Sequence, residues 1–266
     1  MSVATANALG IFDRIVCGLD DSPEALEAAR QAARLRSSGG LLRLAAVADV
    51  GVAVHAGFAM SHVLEELDAS AREALHRAID TVHPDSTHLL AGDPVSTLLD
   101  EVARTGATLV AVGPHGHSRA LGMLLGGVST ALLHEAPCSV LLARSGRYGP
   151  FPSSIIAGVD GSEQSLAAWD VARSVAERFD AELVTVAARG GKGVDADRVQ
   201  ELDPDAVLDP RKPVEALVDL SAEADLLVVG SRGLHGPAAL GSVSERVAHR
   251  APSSVLVVRQ PPVHDS

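Results

Sequence analysis

Two stretches of this chain place glycines where a polypeptide can hold phosphate. Gly113-Pro114-His115-Gly116 leads to Gly126-Gly127-Val128-Ser129, and Gly230-Ser231-Arg232-Gly233 leads to Gly241-Ser242-Val243-Ser244. Each follows a continuous apolar run, at 109–112 and 226–229, and each opens a helical pattern. A strand that ends in a glycine-rich loop and then enters a helix lets the backbone approach an anion closely. The first N–H groups of the helix point at that anion and the helix dipole favours negative charge. One such pattern is weak; two in matching contexts point to phosphate.

Other residues with chemical potential are fewer. Asp20 and Asp160 end matching runs, Ile15-Val16-Cys17-Gly18-Leu19-Asp20 and Ile155-Ile156-Ala157-Gly158-Val159-Asp160. A carboxylate there can accept from ribose hydroxyls, help hold a metal ion, or cap the helix that follows. His115 and His117 form a His-x-His, but no third ligand converges on them, so they read as ordinary loop histidines. No Ser-His-Asp order and no Cys-His pair stands out, which argues against a hydrolase nucleophile. Cys17 and Cys138 fall on strand-like runs outside any metal-like spacing and read as buried free thiols. Trp169 sits among alanines at helical spacing and reads as core or interface.

These groups are positioned by a duplicated framework. Aligned without a gap, residues 126–144 and 241–259 share ten identities in nineteen positions. A period this long means two whole domains, since solenoid repeats run at roughly 20 to 50 residues. The reading is domain 1 at 1–145 and domain 2 at 153–266, joined by a linker rich in glycine and proline. In the first half, strand-like runs near 14–19, 41–48, 87–91, 108–112 and 138–143 alternate with helical patterns near 22–36, 61–83, 95–104 and 127–134. Such alternation predicts parallel βαβ units. Ser22 is the expected N-cap, with Pro23 at the first helical position. Asp20 to Gly113 spans 93 residues and Asp160 to Gly230 only 70, so the second half lacks 23. The long helix near 61–83 has no counterpart there. The glycine-rich stretch 189–194 predicts a loop with one or two helical turns and a trimmed sheet edge.

Composition excludes several functions. Apolar residues form 47% of the chain and aromatics 2%, so Ala, Val and Leu must pack the cores of sheets covered on both faces. A net charge of −12 without a basic stripe argues against nucleic-acid binding. No apolar run reaches roughly 18 residues, and the N-terminus lacks a signal-peptide pattern, so the expectation is a cytoplasmic protein without membrane attachment.

On these motifs the chain resembles tandem universal stress proteins of the ATP-binding type, from Ile15 to Val258. That resemblance implies an α/β fold of two doubly wound, five-stranded parallel sheets of strand order 3-2-1-4-5, like the adenine nucleotide alpha hydrolases. It implies ATP, with or without magnesium, across the carboxyl ends of strands 1 and 4. The family motif G-x2-G-x9-G-[ST] maps onto Gly113, Gly116, Gly126 and Gly127 in domain 1, where Gly127 replaces the expected hydroxyl residue and Ser129 offers one nearby. It maps onto Gly230, Gly233, Gly241 and Ser242 in domain 2, where seven residues instead of nine separate Gly233 from Gly241. Val128, Val243 and Ser244 follow within the motif, and Val47 is implied as a backbone contact to adenine. Gly92-Asp93-Pro94 matches the family's loop after strand 3; Arg211-Lys212-Pro213 stands in its place in domain 2, as either a phosphate contact or solvated loop. The expected function is a regulatory nucleotide-binding module rather than an efficient enzyme, with a slow ATPase or an empty, partner-binding scaffold as alternatives. The two halves are expected to pair through their final strands as a pseudo-dimer, and two chains to form a homodimer.

Overall fold

A computed structural model of the chain describes residues 12–49, 60–115, 125–145, 150–191, 193–231 and 240–259. Strands and helices alternate as the apolar pattern requires. The first half runs β1 (Phe12–Leu19), α1 (Pro23–Leu35), β2 (Arg36–Asp49), α2 (Met60–Val82), β3 (Ser86–Gly92), α3 (Pro94–Thr105), β4 (Leu109–Val112), α4 (Gly127–Glu135) and β5 (Ser139–Leu142). The second runs β6 (Ser154–Gly158), α5 (Glu163–Phe179), β7 (Glu182–Ala188), α6 (Ala196–Leu202), β8 (Val207–Asp209), α7 (Pro213–Ser221), β9 (Leu226–Gly230), α8 (Ser242–Arg250) and β10 (Ser254–Val258). Ser22 caps α1, its hydroxyl accepting from the Ala25 amide at 3.1 Å, with Pro23 in the first turn.

Each half has the expected 3-2-1-4-5 order, and the two join into one ten-stranded sheet, β3-β2-β1-β4-β5-β10-β9-β6-β7-β8. All neighbours are parallel except β5 and β10 at the centre. Helices cover both faces. Alanines on α1, α2 and α5 (Ala28, Ala32, Ala74, Ala78, Ala168, Ala172) pack with Ile15, Leu44, Leu109, Leu141, Leu226 and Leu256 on one face. On the other, Leu98 and Val102 of α3, Leu132 and Leu133 of α4, Leu217 of α7 and Val247 of α8 cover Val110, Val140, Leu227 and Val255. Both cores run unbroken across β5 and β10. Trp169 joins the first of them, its indole N–H donating to the Thr185 hydroxyl at 2.9 Å. Both thiols are buried, and burial pushes Cys138 up to about 12 and Cys17 higher still, so neither is a thiolate at neutral pH.

Two features of the edges differ in kind. β2 begins at Arg36, earlier than the apolar run suggests, because Arg36 pairs with Phe12 before a register shift at the Ser-Ser-Gly-Gly stretch. The second half is trimmed as expected. The 7-residue α6 stands where the first half has the 23-residue α2, and β8 is only 3 residues long.

The central seam is symmetric in chemistry as well as in strands. Val140, Leu141 and Leu142 pair with Val257, Leu256 and Val255, all buried. The Arg144 amide donates to the Ser254 hydroxyl at 3.0 Å, and the Arg259 amide to that of Ser139 at 3.1 Å. The two guanidinium groups then cross. Arg144 donates to the Ala248 carbonyl near the end of α8 (2.6 Å) and to that of Ser253 (3.2 Å), while Arg259 donates to the Leu133 carbonyl near the end of α4. A cation on the last carbonyls of a helix satisfies acceptors that have no intrahelical donor and complements the dipole. Burial draws Arg144 down to about 10, which leaves it charged at neutral pH.

Removing that side chain orphans two buried carbonyls. Arg144→Ala should therefore cost about 2–4 kcal/mol in chemical denaturation. The exposed helical pair of Arg72 with Asp68 (2.8 Å) is the contrast, and Arg72→Ala should cost less than about 0.5 kcal/mol. Equal losses would show that the crossed arginines do not hold the seam.

Candidate functional site

At the carboxyl ends of β1 and β4 the chain departs to opposite faces of the sheet, into α1 on one side and towards α4 on the other. The same divergence occurs at β6 and β9. A crevice opens at such a switch point, and this is where open α/β sheets bind ligands. Because β5 and β10 are antiparallel, the two crevices lie at opposite ends of the sheet. Asp20 and Gly113 border the first; Asp160 and Gly230 border the second.

The aspartates shape the first turn in both halves. Asp20 Oδ1 accepts from the Ser22 amide at 3.0 Å and from its hydroxyl, and Asp160 Oδ1 accepts from the same groups of Ser162 at 3.0 and 2.6 Å. Each orients the serine that caps the next helix. An arginine from the crossover helix pins the turn on its far side, Arg77 donating to the Asp21 carbonyl at 3.0 Å and Arg198 to that of Gly161 at 2.8 Å. Different helices supply the same contact.

The leading glycine of each motif has a packing reason. A Cβ on Gly113 would lie 3.0 Å from Glu24, and one on Gly230 would lie 2.5 Å from the Gln164 carbonyl oxygen. The strand end abuts the first turn of α1 or α5, and only glycine fits. Ser129 is buried and donates to the Gly113 carbonyl at 2.7 Å; Ser244 does the same to Gly230 at 2.7 Å. Both hydroxyls, the first a candidate ligand contact by sequence, therefore fix the loop to the strand end. Gly126 donates to the Pro114 carbonyl at 2.8 Å and closes the first loop. A Cβ on Gly127 would meet nothing within 4 Å, so that position faces open space. Gly116 and Gly233 lie outside the described residues.

Helix starts are of two kinds, and α7, which begins after Lys212, shares the lack of a side-chain cap with the two crevice helices. Side chains of Ser22, Asp93, Ser162 and Asp195 cap α1, α3, α5 and α6. Helices α4 and α8 begin after Gly126 and Gly241 with no side-chain cap. Their leading amides, from Gly127, Val128 and Ser129 or from Ser242, Val243 and Ser244, are those which the phosphate motif supplies. His115, in the first loop, buries its Nε2 with no partner among the described residues. Val47 lies on β2 opposite Leu90, just past the last β1–β2 pair, Leu19 with Ala46. Among the described residues no group of three or more His, Cys, Asp or Glu is arranged to hold a metal ion.

Around the second crevice the chain makes several contacts of its own. The Asp195 amide donates to the Asp160 carbonyl at 2.9 Å, and a Cβ on Gly161 would lie 2.8 Å from that of Asp195. Ala188, at the end of β7 as Val47 is on β2, gives its carbonyl to the Gly191 amide at 3.3 Å. Arg211 is held by Asp209 (2.7 Å) and by Asp219 (2.7 Å), and its hydrogen bonds keep the Asp209 carboxyl below its ordinary range. This arginine, read from sequence as either a phosphate contact or solvated loop, braces β8 against α7. In the first half Asp93 caps α3 instead, accepting from the Ser96 amide at 2.9 Å, a bond that lowers its pKa.

Comparison with known proteins agrees with the architecture. The model of the universal stress protein family matches residues 11–144 and 193–259. A universal stress protein of Mycolicibacterium smegmatis is 32% identical over 92% of this chain and 96% of its own length. One from Mycobacterium tuberculosis strain H37Rv is likewise 32% identical, over 92% of this chain and 96% of its own. The crystal structure of a universal stress protein from Archaeoglobus fulgidus superposes with a TM-score of 0.73, at 21% identity, over 95% of this chain and 98% of that one. No helix among the described residues is long and apolar enough to cross a membrane.

The glycine roles can be separated without any ligand. Gly113→Ala and Gly230→Ala should each destabilise the protein by about 1–3 kcal/mol through overpacking, Gly230 the more because its nearest backbone atom would lie at 2.5 Å against 3.0 Å for Gly113. Gly127→Ala should be neutral or slightly stabilising in the same denaturation experiment. A neutral Gly230→Ala would show that the tight strand–helix contact is not what requires glycine.

Proposed function

The chain belongs to the universal stress protein family, and from that premise we propose that it is a cytoplasmic regulatory module that binds ATP in its first crevice. The observation that carries this reading is the uncapped start of α4 at a switch point. Its leading amides have neither intrahelical partners nor a side-chain cap, and they face the position where a phosphate group would satisfy them. Gly126 and Gly127 keep that approach open, and Gly113 and Ser129 hold the loop in place. Asp20 and the backbone of Val47 border the space for ribose and adenine. Magnesium, where present, would be held chiefly by the phosphates, since no cluster for it is found among the described residues.

The second crevice is proposed to be empty or weakly occupied. Asp195 covers the turn at Asp160, Ala188 has used its carbonyl within a tight turn, and the loop before Gly241 is two residues shorter. This half serves as a scaffold for the first. The chain as a whole is proposed not to be an efficient catalyst. The sequence offers no Ser-His-Asp order and no Cys-His pair, so any ATP turnover should fall well below the roughly 1–10³ per second typical of enzymes.

Mass spectrometry of nucleotide released from the purified protein tests occupancy, and calorimetry with ATP measures affinity. Gly127→Ser restores the family's hydroxyl at an open position and should tighten ATP binding by about 0.5–1.5 kcal/mol, roughly two- to tenfold. Gly126→Val should weaken it far more than Gly241→Val. Nucleotide absent from the wild type, or equal losses in the two valine variants, would overturn this reading.

A further inference from the structure

The antiparallel seam sets α4 and α8 side by side in opposite directions, so the end of α8 lies beside the start of α4. There the Leu125 amide donates to Nδ1 of His249 at 3.4 Å, a contact across the two halves. Next along the chain, the Gly126 amide donates to Pro114 at 2.8 Å. Two consecutive amides thus fasten the point where the first phosphate loop enters α4, one to its own half and one to the other. The uncapped amides of Gly127, Val128 and Ser129 follow directly, and their direction is set by these two fastenings.

The arrangement is not mirrored in the other half. His134 is the repeat counterpart of His249, and its Nε2 faces Glu245 Oε1 at 3.4 Å. The counterpart of Glu245 is Thr130, so α4 offers His249 no carboxylate. Around His249 stand Glu245 on its own helix, His134 on α4 and Arg144 at the end of β5, while α7 contributes Val214 and Leu217 to the shared core.

We propose that His249, supplied by the second half, is a positioning residue for the phosphate loop of the first, holding it through neutral Nδ1 and releasing it on protonation. Only its consequence for ATP rests on the nucleotide reading above; the fastening itself is a property of the protein alone. An acceptor nitrogen cannot accept once it carries a proton. Burial, aided by the charges of Arg144 and His134 and opposed by Glu245, holds His249 below the usual histidine value. A base with a lowered folded pKa contributes stability that is complete above its unfolded pKa of about 6.5 and declines as pH falls towards the folded value. The fastening is therefore intact at neutral pH and lost in mild acid.

Amide exchange at Leu125, followed by NMR on the full chain without nucleotide, reads the contact directly. Its protection factor should fall as pH is lowered below the ordinary histidine range, be lost at every pH in His249→Ala, and persist without pH dependence in His249→Asn, whose amide oxygen can accept in place of Nδ1. ATP affinity at pH 7.5 should drop roughly two- to tenfold in His249→Ala, the worth of one hydrogen bond, and recover in His249→Asn. Unchanged Leu125 protection in His249→Ala would overturn the proposal, as would equal loss in both variants, which would assign the effect to the ring's volume. A wild type that binds no ATP but shows the predicted exchange pattern would overturn the nucleotide reading and leave the fastening standing.

Discussion

The antiparallel pairing of β5 with β10 is the constraint on which the rest of the molecule depends. Either half alone would end in a wholly apolar edge strand, Val140-Leu141-Leu142 or Val255-Leu256-Val257, and such an edge pairs with whatever strand it meets. Joining the two edges removes both and merges the half-cores on each face into continuous layers. The geometry has further consequences. An antiparallel junction between parallel sheets sends the two crevices to opposite ends and lays α4 against α8 head to tail. Each helix end thereby falls beside a start from the other half, which is why Arg144 and Arg259 can reach the far helix's last carbonyls.

Several helix ends among the described residues are resolved in ways that bear on the crevices. Starts away from the α4 and α8 termini are mostly closed by the chain's own short polar side chains. The C-terminal ends of α4 and α8 are closed by an arginine from the opposite half. The starts of α4 and α8 are left open. Closing an end internally is worth about a kcal/mol, so two open starts at equivalent sites are a stability cost that a bound anion can offset. The tight glycines belong to the same design. Gly113 and Gly230 bring the ends of β4 and β9 against the first turns of α1 and α5, at the floor of each crevice.

Much of this was legible in the sequence because duplication makes weak signals corroborate one another. The alternation of strands and helices and the shortened crossover of the second half followed from matched runs and counted residues, while the strand order, and with it the final-strand pairing, came through the family resemblance that the motifs carry. Contacts between distant residues were not legible. Arg144 and Arg259 end the best-conserved stretch of the repeat, yet nothing local says that each crosses to the other helix. Arg211 read as either a phosphate contact or solvated loop, and its pairing with Asp219, eight residues on, forms only when α7 folds beside β8. Ser129 read as a spare hydroxyl beside Gly127, whereas its helical position turns it inward onto Gly113. Periodicity finds the elements, but it does not tell which polar group another element has already taken.

The two halves diverge in a way that follows from linkage. A ligand that binds only the folded form stabilises it by an amount that rises with its concentration. A crevice that leaves amides open makes the stability of its half dependent on ligand; one that satisfies its groups internally does not. The second half also leaves the start of α8 open, but it satisfies the groups of its turns internally, with the Asp195 amide on Asp160, Gly191 on Ala188 and Arg211 bound by two carboxylates. It can then serve as a constant frame. The first half keeps an open helix start, and His249 ties that start to the frame at the one place where the seam brings the halves' helices end to start. A change in either the charge of that histidine or the occupancy of the first crevice must act on the same few amides. On the proposed reading, the seam therefore couples the first crevice to the second half through the packed ends of α4 and α8.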